Sequence, residues 1–251
     1  MACSTDSGFL GNLTPDQEVK LRQAWAHLLR LCGNDAVTDK VPNQSDQFLQ
    51  HLADKSVDSF RGNLWRFVLG DHPDAVVLRF LRARKWDVHQ AMVMLVSALN
   101  WRAEIDIDET IIRDGESVTF KESPSKKDQE FMMQYRSGKA YTRGADRQDR
   151  PVFVVKVKLH DPNKQSPEAM ETFILHSIES LKLMVRAPRD RACLLFDLTG
   201  FGLGNMDFHV VKFLAQVFEA RYPETLGAIL VHNAPFVFWG MLCPSFLPSY
   251  F

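Results

Sequence analysis

The chain has 251 residues, enough for one large α/β domain with a helical preface. Its 45% hydrophobic and 24% charged residues give the profile of a soluble globular protein. Lys and Arg number 30 against 31 Asp and Glu, so net charge makes no case for nucleic acid, and any basic surface must be a local patch.

Taken in chain order, a first helix is expected from Leu13-Thr14-Pro15. Thr14 can cap it, Pro15 suits the first helical position, and Gln17 stands at capping-box spacing. Leu21, Trp25, Leu28 and Leu29 recur at helical spacing, and Gly33 ends the run. From Gly33 to about Ser56 the chain is polar, with Pro42, Asn43 and Ser45, and reads as a linker or mobile loop. Phe60, Leu64, Phe67 and Val68 predict a short helix. Asp71, Pro73 and Asp74 open the next, with acidic groups at the positive end of its dipole. Val77, Leu78, Phe80 and Leu81 give that helix an apolar side, and Arg79, Arg82 and Lys85 a basic one. After a break at Lys85-Trp86-Asp87, Val88 to Arg102 continues as a helix with Met92, Leu95, Leu99 and Trp101 inward. Residues 103–135 lack a strong period and read as a connection with short helices.

The second half changes rhythm. Lys139 to Thr142 is a possible short strand, Gly144 to Arg150 a polar turn, and Pro151 to Val157 a β-rich run. A helix is expected from Pro167 to about Val185, a strand over Ala192 to Leu198, a helix over Met206 to Arg221, and a strand over Leu226 to His232. Strand alternating with helix argues for parallel strands with crossover helices. The predicted fold class is therefore α/β: an N-terminal helical subdomain, then a mostly parallel sheet. The expected divisions are 1–57 (helix and polar linker), 58–115 (helical domain), 116–239 (sheet domain) and 240–251 (tail).

No run of residues approaches the ~18 consecutive apolar positions of a membrane span. Met1 to Leu10 lacks the basic-then-apolar form of a signal peptide, so membrane contact is expected to be peripheral and reversible. The four cysteines, Cys3, Cys32, Cys193 and Cys243, have no metal-ligand spacing. Cys193 reads as a small core residue, and a cytoplasmic, reduced protein is expected. Gly200-Phe201-Gly202-Leu203-Gly204 lies between a strand and a helix like a dinucleotide turn, but Asn205 stands where the third glycine is required. His160, His176, His209 and His232 are scattered, and no nucleophile elbow accompanies them. No catalytic set, metal site or cofactor is expected. Asp197 and Glu224 would form a carboxylate pair only if the fold joined them.

Several segments carry a resemblance. They are Leu78-Arg79-Phe80-Leu81-Arg82-Ala83-Arg84-Lys85-Trp86-Asp87-Val88 with its following helix, Asp149-Arg150-Pro151-Val152, Phe196-Asp197-Leu198-Thr199-Gly200-Phe201, Tyr222-Pro223-Glu224-Thr225-Leu226-Gly227 and His232-Asn233-Ala234-Pro235. In this order, from about Asp71 to Trp239, they resemble the CRAL-TRIO lipid-binding family, the yeast-type phosphatidylinositol and phosphatidylcholine transfer proteins. In detail they look most like its fungal phosphatidylinositol transfer branch. The resemblance implies a lipid cavity walled by the sheet and its helices. Burial contributes ~0.8 kcal/mol per methylene, so two acyl chains are worth ~20 kcal/mol and demand an apolar interior, which the eighteen Phe and nine Met could line. It also implies two headgroup-binding residues, Arg84 and Glu224: a guanidinium suits phosphate, and a carboxylate accepts from inositol hydroxyls. The hydroxyl pair that some members use for phosphatidylcholine is replaced by Ala192 and Leu194, which leaves phosphatidylinositol or a less polar, squalene-like lipid.

The resemblance stops near Trp239. Pro244 and Pro248 forbid a regular helix in the tail, which reads as a mis-spliced, read-through or incompletely predicted end. The cavity is then expected to be incomplete at its C-terminus and the chain marginally stable. The expected function is phosphatidylinositol exchange between membranes by a monomer without catalytic turnover, touching membrane surfaces transiently. The alternatives are a non-transferring lipid-sensing adaptor and a nucleotide-dependent α/β enzyme using the Gly200 turn.

Overall fold

In a computed structural model the structure describes residues 7–34, 48–50, 52–53, 56–185, 187 and 190–234. The described residues form two compact units. One takes the chain up to Asp108 together with Arg186–Asp190 and Glu219–Thr225; the other takes Glu109–Val185, Arg191–Phe218 and the chain from Leu226.

The first unit is helical. Helix α1, Pro15–Leu31, begins in a full capping box in which Thr14 accepts from the Gln17 amide and Gln17 accepts from the Thr14 amide at 2.9 Å. Helix α2, Val57–Val68, is capped by Ser56 and buries Phe60, Leu64, Phe67 and Val68, the four positions its period predicts. Helix α3, Pro73–Ala83, has His72 as its N-cap, with Nδ1 accepting from the Asp74 amide at 3.2 Å. Helix α4, Val88–Glu104, is capped by Asp87 and buries Met92, Leu95 and Leu99 as expected, while Trp101 is half-buried. The expected 33–56 linker needs correcting in part. Residues 48–50 and 52–53 are helical, and Leu49 and Ala53 are buried. Phe48, Leu49, Leu52 and Ala53 supply an i, i+1, i+4, i+5 apolar stripe that outweighs the polar surroundings.

The basic side of α3 also needs correcting. Ala75 through Leu81 are all buried, Arg79 among them at 6% exposure. A helix enclosed on every side can keep a guanidinium only if carboxylates meet it. Asp71 and Asp190 do so here.

A π-helical turn, Ile107–Arg113, begins in the first unit and ends in the second, which continues with a 3₁₀ segment, Gly115–Phe120, and helix α5, Lys126–Arg136, which starts in a Ser125–Asp128 capping box. Four strands follow: β1 Ala140–Ala145, β2 Pro151–Lys156, β3 Ala192–Asp197 and β4 Leu226–His232. They form one sheet in the order β1-β2-β3-β4. β1 runs antiparallel to β2, with a register shift between Thr142 and Ala145, so the strand extends through positions expected as turn. β2, β3 and β4 are mutually parallel. Helix α6, Pro167–Lys182, connects β2 to β3, and helix α7, Phe208–Ala220, connects β3 to β4, the crossovers that parallel neighbours require.

Register fixes the two faces of the sheet. Phe153, Leu194 and Ile229 lie side by side on one face, and Val155, Phe196 and Val231 follow on it. Leu181, Val185, Ala192, Leu194 and Leu226 form the buried cluster there. Phe153, Phe196, Phe218 and Ile229 pack against that cluster while keeping part of their surface open. Cys193, on the opposite face, is free and buried, as expected of a core thiol. Cys3, Cys243 and the whole 240–251 tail lie outside the described residues.

Candidate functional site

The candidate headgroup residues both belong to the helical unit, and backbone geometry places each of them. Helix α3 ends in a Schellman arrangement: the Trp86 amide donates to Leu81 O at 2.7 Å and the Lys85 amide to Arg82 O at 3.0 Å. Lys85 takes φ +50° where glycine is usual. Arg84 is the C-cap of this turn, exposed, with Nη1 donating to Ala83 O at 3.4 Å. Glu224 sits in the turn before β4 at φ +56°. The segment carrying it is held by Tyr222, which stands edge-on to Trp101 at 6.3 Å and meets Phe67 at 6.3 Å. Arg221 adds bonds to Ser97 O at 3.0 Å and Ser97 Oγ at 2.8 Å.

The structure pairs Glu224 with Arg82, not with Arg84: Glu224 Oε2 lies 3.6 Å from Arg82 Nε. Arg82 also bonds Asp190 Oδ2, donates to Gly8 O at 3.0 Å, and stacks over the Phe9 ring at 4.3 Å. Arg79 in turn reaches Asp71 Oδ2 at 2.8 Å and Asp190 Oδ1 at 2.9 Å. The result is a ladder, Asp71–Arg79–Asp190–Arg82–Glu224, in which two guanidiniums face three carboxylates. Its first four side chains are almost wholly enclosed, and Glu224 retains about a quarter of its surface, 26%. Such a ladder has no spare positive charge for a phosphate. Arg84 and Lys85, which follow in the chain, are exposed cations. Sequence spacing alone missed Asp190, because pairing over more than a hundred residues leaves no local signature, and it gave Asp71, eight residues before Arg79, only the role of a helix-opening acid.

In the second unit, the apolar surface left incompletely covered is the feature that bears on a hydrophobic ligand. Helix α7 is largely apolar, yet Val217 is its one fully buried residue, and Phe208 is 70% exposed. Leu203, in the preceding turn, is 68% exposed. Together with the open parts of Phe196, Phe218 and Ile229, this gives unit two more exposed apolar surface than its core needs. Ala192 and Leu194 are themselves buried in the sheet core.

The decoys resolve into structural roles. Asn205, in place of the third glycine, accepts from the Gly202 amide at 2.9 Å and donates to His160 O at 2.7 Å, tying the glycine turn to the segment after β2. Asp197 is occupied by Thr199, whose side chain first and amide (at 3.0 Å) second hold its carboxyl below the usual range, and Glu224 by Arg82. His176 meets Glu116 at 3.9 Å and His209 meets Glu171 at 2.9 Å. Among the described residues no cluster of His, Cys, Asp and Glu could hold a metal ion. An open cleft of about 510 Å³ between α1 and α2 is lined by Trp25, Leu28, Cys32, Arg61, Leu64 and Trp65. Burial pushes the Cys32 thiol up, opposite to an activated nucleophile. No described helix is long and apolar enough to cross a membrane.

Residues 44–97 match the family model described as CRAL/TRIO, N-terminal domain, and residues 135–244 match that of the CRAL/TRIO domain. A CRAL-TRIO domain-containing protein of Schizosaccharomyces pombe is 35% identical over 205 residues, covering 81% of this chain and 44% of that protein. The phosphatidylinositol transfer protein CSR1 of Eremothecium gossypii is 37% identical over 209 residues, covering 82% of this chain and 47% of that protein. The chain thus spans about half the length of these curated relatives. The crystal structure of Sfh5 superposes with a TM-score of 0.51 at 18% identity, covering 82% of this chain and 76% of that one, which is a likeness of fold.

Proposed function

The chain belongs to the CRAL/TRIO family, and we propose that it binds one phospholipid and moves it between membranes, with phosphatidylinositol as the ligand. The observation that carries this reading is the family match over both the helical and the sheet regions, together with a relative described as a phosphatidylinositol transfer protein. Acyl chains require open apolar surface of the kind that Phe196, Phe218 and α7 present. Burial of that surface against methylenes is the driving force, at ~0.8 kcal/mol for each. Arg84 would take the phosphate and Glu224 the inositol hydroxyls. Arg82 would position Glu224 through their ion pair and is too enclosed by Asp190 to act as the phosphate ligand itself.

On this reading the protein works without catalytic turnover, as a cytoplasmic monomer that touches membrane surfaces transiently. A squalene-like lipid is the second ligand that the resemblance leaves open. Solvent extraction of the purified chain followed by mass spectrometry tests the ligand. Phosphatidylinositol is expected among the extracted lipids, at less than one per chain if the cavity is incomplete. A chain that carries no lipid and takes none from phosphatidylinositol vesicles would sink the reading and move weight to a lipid-independent adaptor.

A further inference from the structure

A second buried cluster lies in the sheet unit, where Lys139, His160 and Asp207 meet from three chain segments. Lys139 stands just before β1 with its side chain only 2% exposed. Its amine bonds Gln134 Oε1, meets His160 Nδ1 at 3.2 Å and Met170 Sδ at 3.5 Å, and lies 5.4 Å above the Phe173 ring. The far nitrogen of the same imidazole, Nε2, lies 3.1 Å from Asp207 Oδ2. An ammonium can only donate, so Nδ1 must accept and the ring must be neutral with its proton on Nε2, aimed at the carboxylate.

Asp207 is the cap of α7. Its Oδ1 accepts from the Val210 amide at 3.1 Å and its carbonyl from the Val211 amide at 3.1 Å. His160 also grips the turn before the helix, because its carbonyl accepts from Asn205 at 2.7 Å. One neutral histidine therefore secures both the cap and the approach of a helix that has little other burial to hold it.

We propose that Lys139, His160 and Asp207 form a latch that fastens the N-terminus of α7 near neutral pH and releases it in acid. Lys139 and His160 hold one proton between them, and a second has no acceptor. Protonating Nδ1 would set a second buried cation 3.2 Å from the first, so the contact must open. The charged groups facing His160 are Lys139 on one side and Asp207 and Asp161 on the other. On α7 itself, His209 faces Glu171 of α6 at 2.9 Å, a contact that protonation strengthens, so it does not account for release in acid. Burial first, and Lys139 second, hold the His160 pKa below its ordinary value. The contribution of the latch is then fully present above about pH 6.5, the unfolded value, and is lost as pH falls through the lower folded one.

Hydrogen exchange of the full 251-residue chain at about pH 7.5 and 5.5, with each amide corrected for its intrinsic rate, tests the latch. Protection over 207–213 is expected to fall by up to about tenfold per pH unit in acid, while α4 changes little. His160→Gln keeps an acceptor toward Lys139 and a donor toward Asp207 but cannot titrate, so the selective loss should vanish. Lys139→Met removes the opposing cation and lets a protonated His160 pair with Asp207, which should also abolish it. Acid loosening of the wild-type chain no greater in α7 than in α4 overturns the proposal, and so does equal acid loosening in either variant.

Discussion

At the scale of single residues, three basic side chains of one short stretch have three different fates. Arg79 is enclosed between Asp71 and Asp190, Arg82 between Asp190 and Glu224, and Arg84 faces water. Removing one member of a buried ion ladder leaves its partners charged and unsolvated, so Arg79→Ala is expected to cost about 3–5 kcal/mol in urea unfolding. Arg84→Ala should move stability by less than about 0.5 kcal/mol, as an exposed substitution does. If Arg84 is the phosphate ligand, the same change should lower phosphatidylinositol uptake about tenfold, the equivalent of one lost charge-assisted bond. Unchanged uptake by a folded Arg84→Ala chain would remove Arg84 from the headgroup site. Lys139 makes a prediction at the other end of the pH scale. Burial lowers its pKa from 10.5 to about 8, so between those values the unfolded chain holds the extra proton and stability rises with pH. Compared with Lys139→Met, the wild-type chain should gain up to about 1.4 kcal/mol per pH unit in that window. Tyr135, held up to about 12 first by its hydrogen bond to Glu116, reverses the slope only above about pH 10, the ordinary tyrosine value.

At the scale of elements, the ends of helices carry as much information as their apolar stripes. The turn that closes α3 uses the Schellman bonds but places Lys85, not glycine, at φ +50°. A left-handed residue with a Cβ costs about 1–2 kcal/mol, and Lys85 is exposed, so Lys85→Gly should stabilise the chain by about 1 kcal/mol. A destabilised Lys85→Gly chain in thermal melts would mean that the lysine side chain has a partner worth more than the strain. At the start of α1, Thr14→Ala breaks both arms of a complete capping box and should cost about 1 kcal/mol.

At the scale of the whole molecule, the helical unit is not a continuous length of chain. Its ion ladder needs Asp190 and Glu224, and its aromatic packing needs Tyr222 against Phe67 and Trp101. A fragment of residues 1–108 lacks all three and leaves Arg79 and Arg82 enclosed without Asp190. It is expected to show helical circular dichroism without a cooperative melt. A sharp two-state transition in that fragment would mean that the later segments decorate the unit and do not complete it.

The sequence alone determined the periodic features. The capping box at Thr14, the four buried positions of α2, the extent of β4 and the strand–helix alternation of the sheet were all legible, because each depends on neighbours within one or two turns or on a two-residue alternation. Family membership was legible for a related reason: its motifs are short, contiguous and ordered along the chain. The tertiary structure decided what the charges do. Arg79 and Arg82 read as a basic helix face, and became the centre of a buried ladder only when Asp190, more than a hundred residues away, arrived beside them. Lys139, His160 and Asp207 gave no sequence signal at all, since the imidazole must meet both partners in space before its proton has a fixed place. Electrostatic roles depend on burial and on distance through space, and neither is a property of a residue's position along the chain.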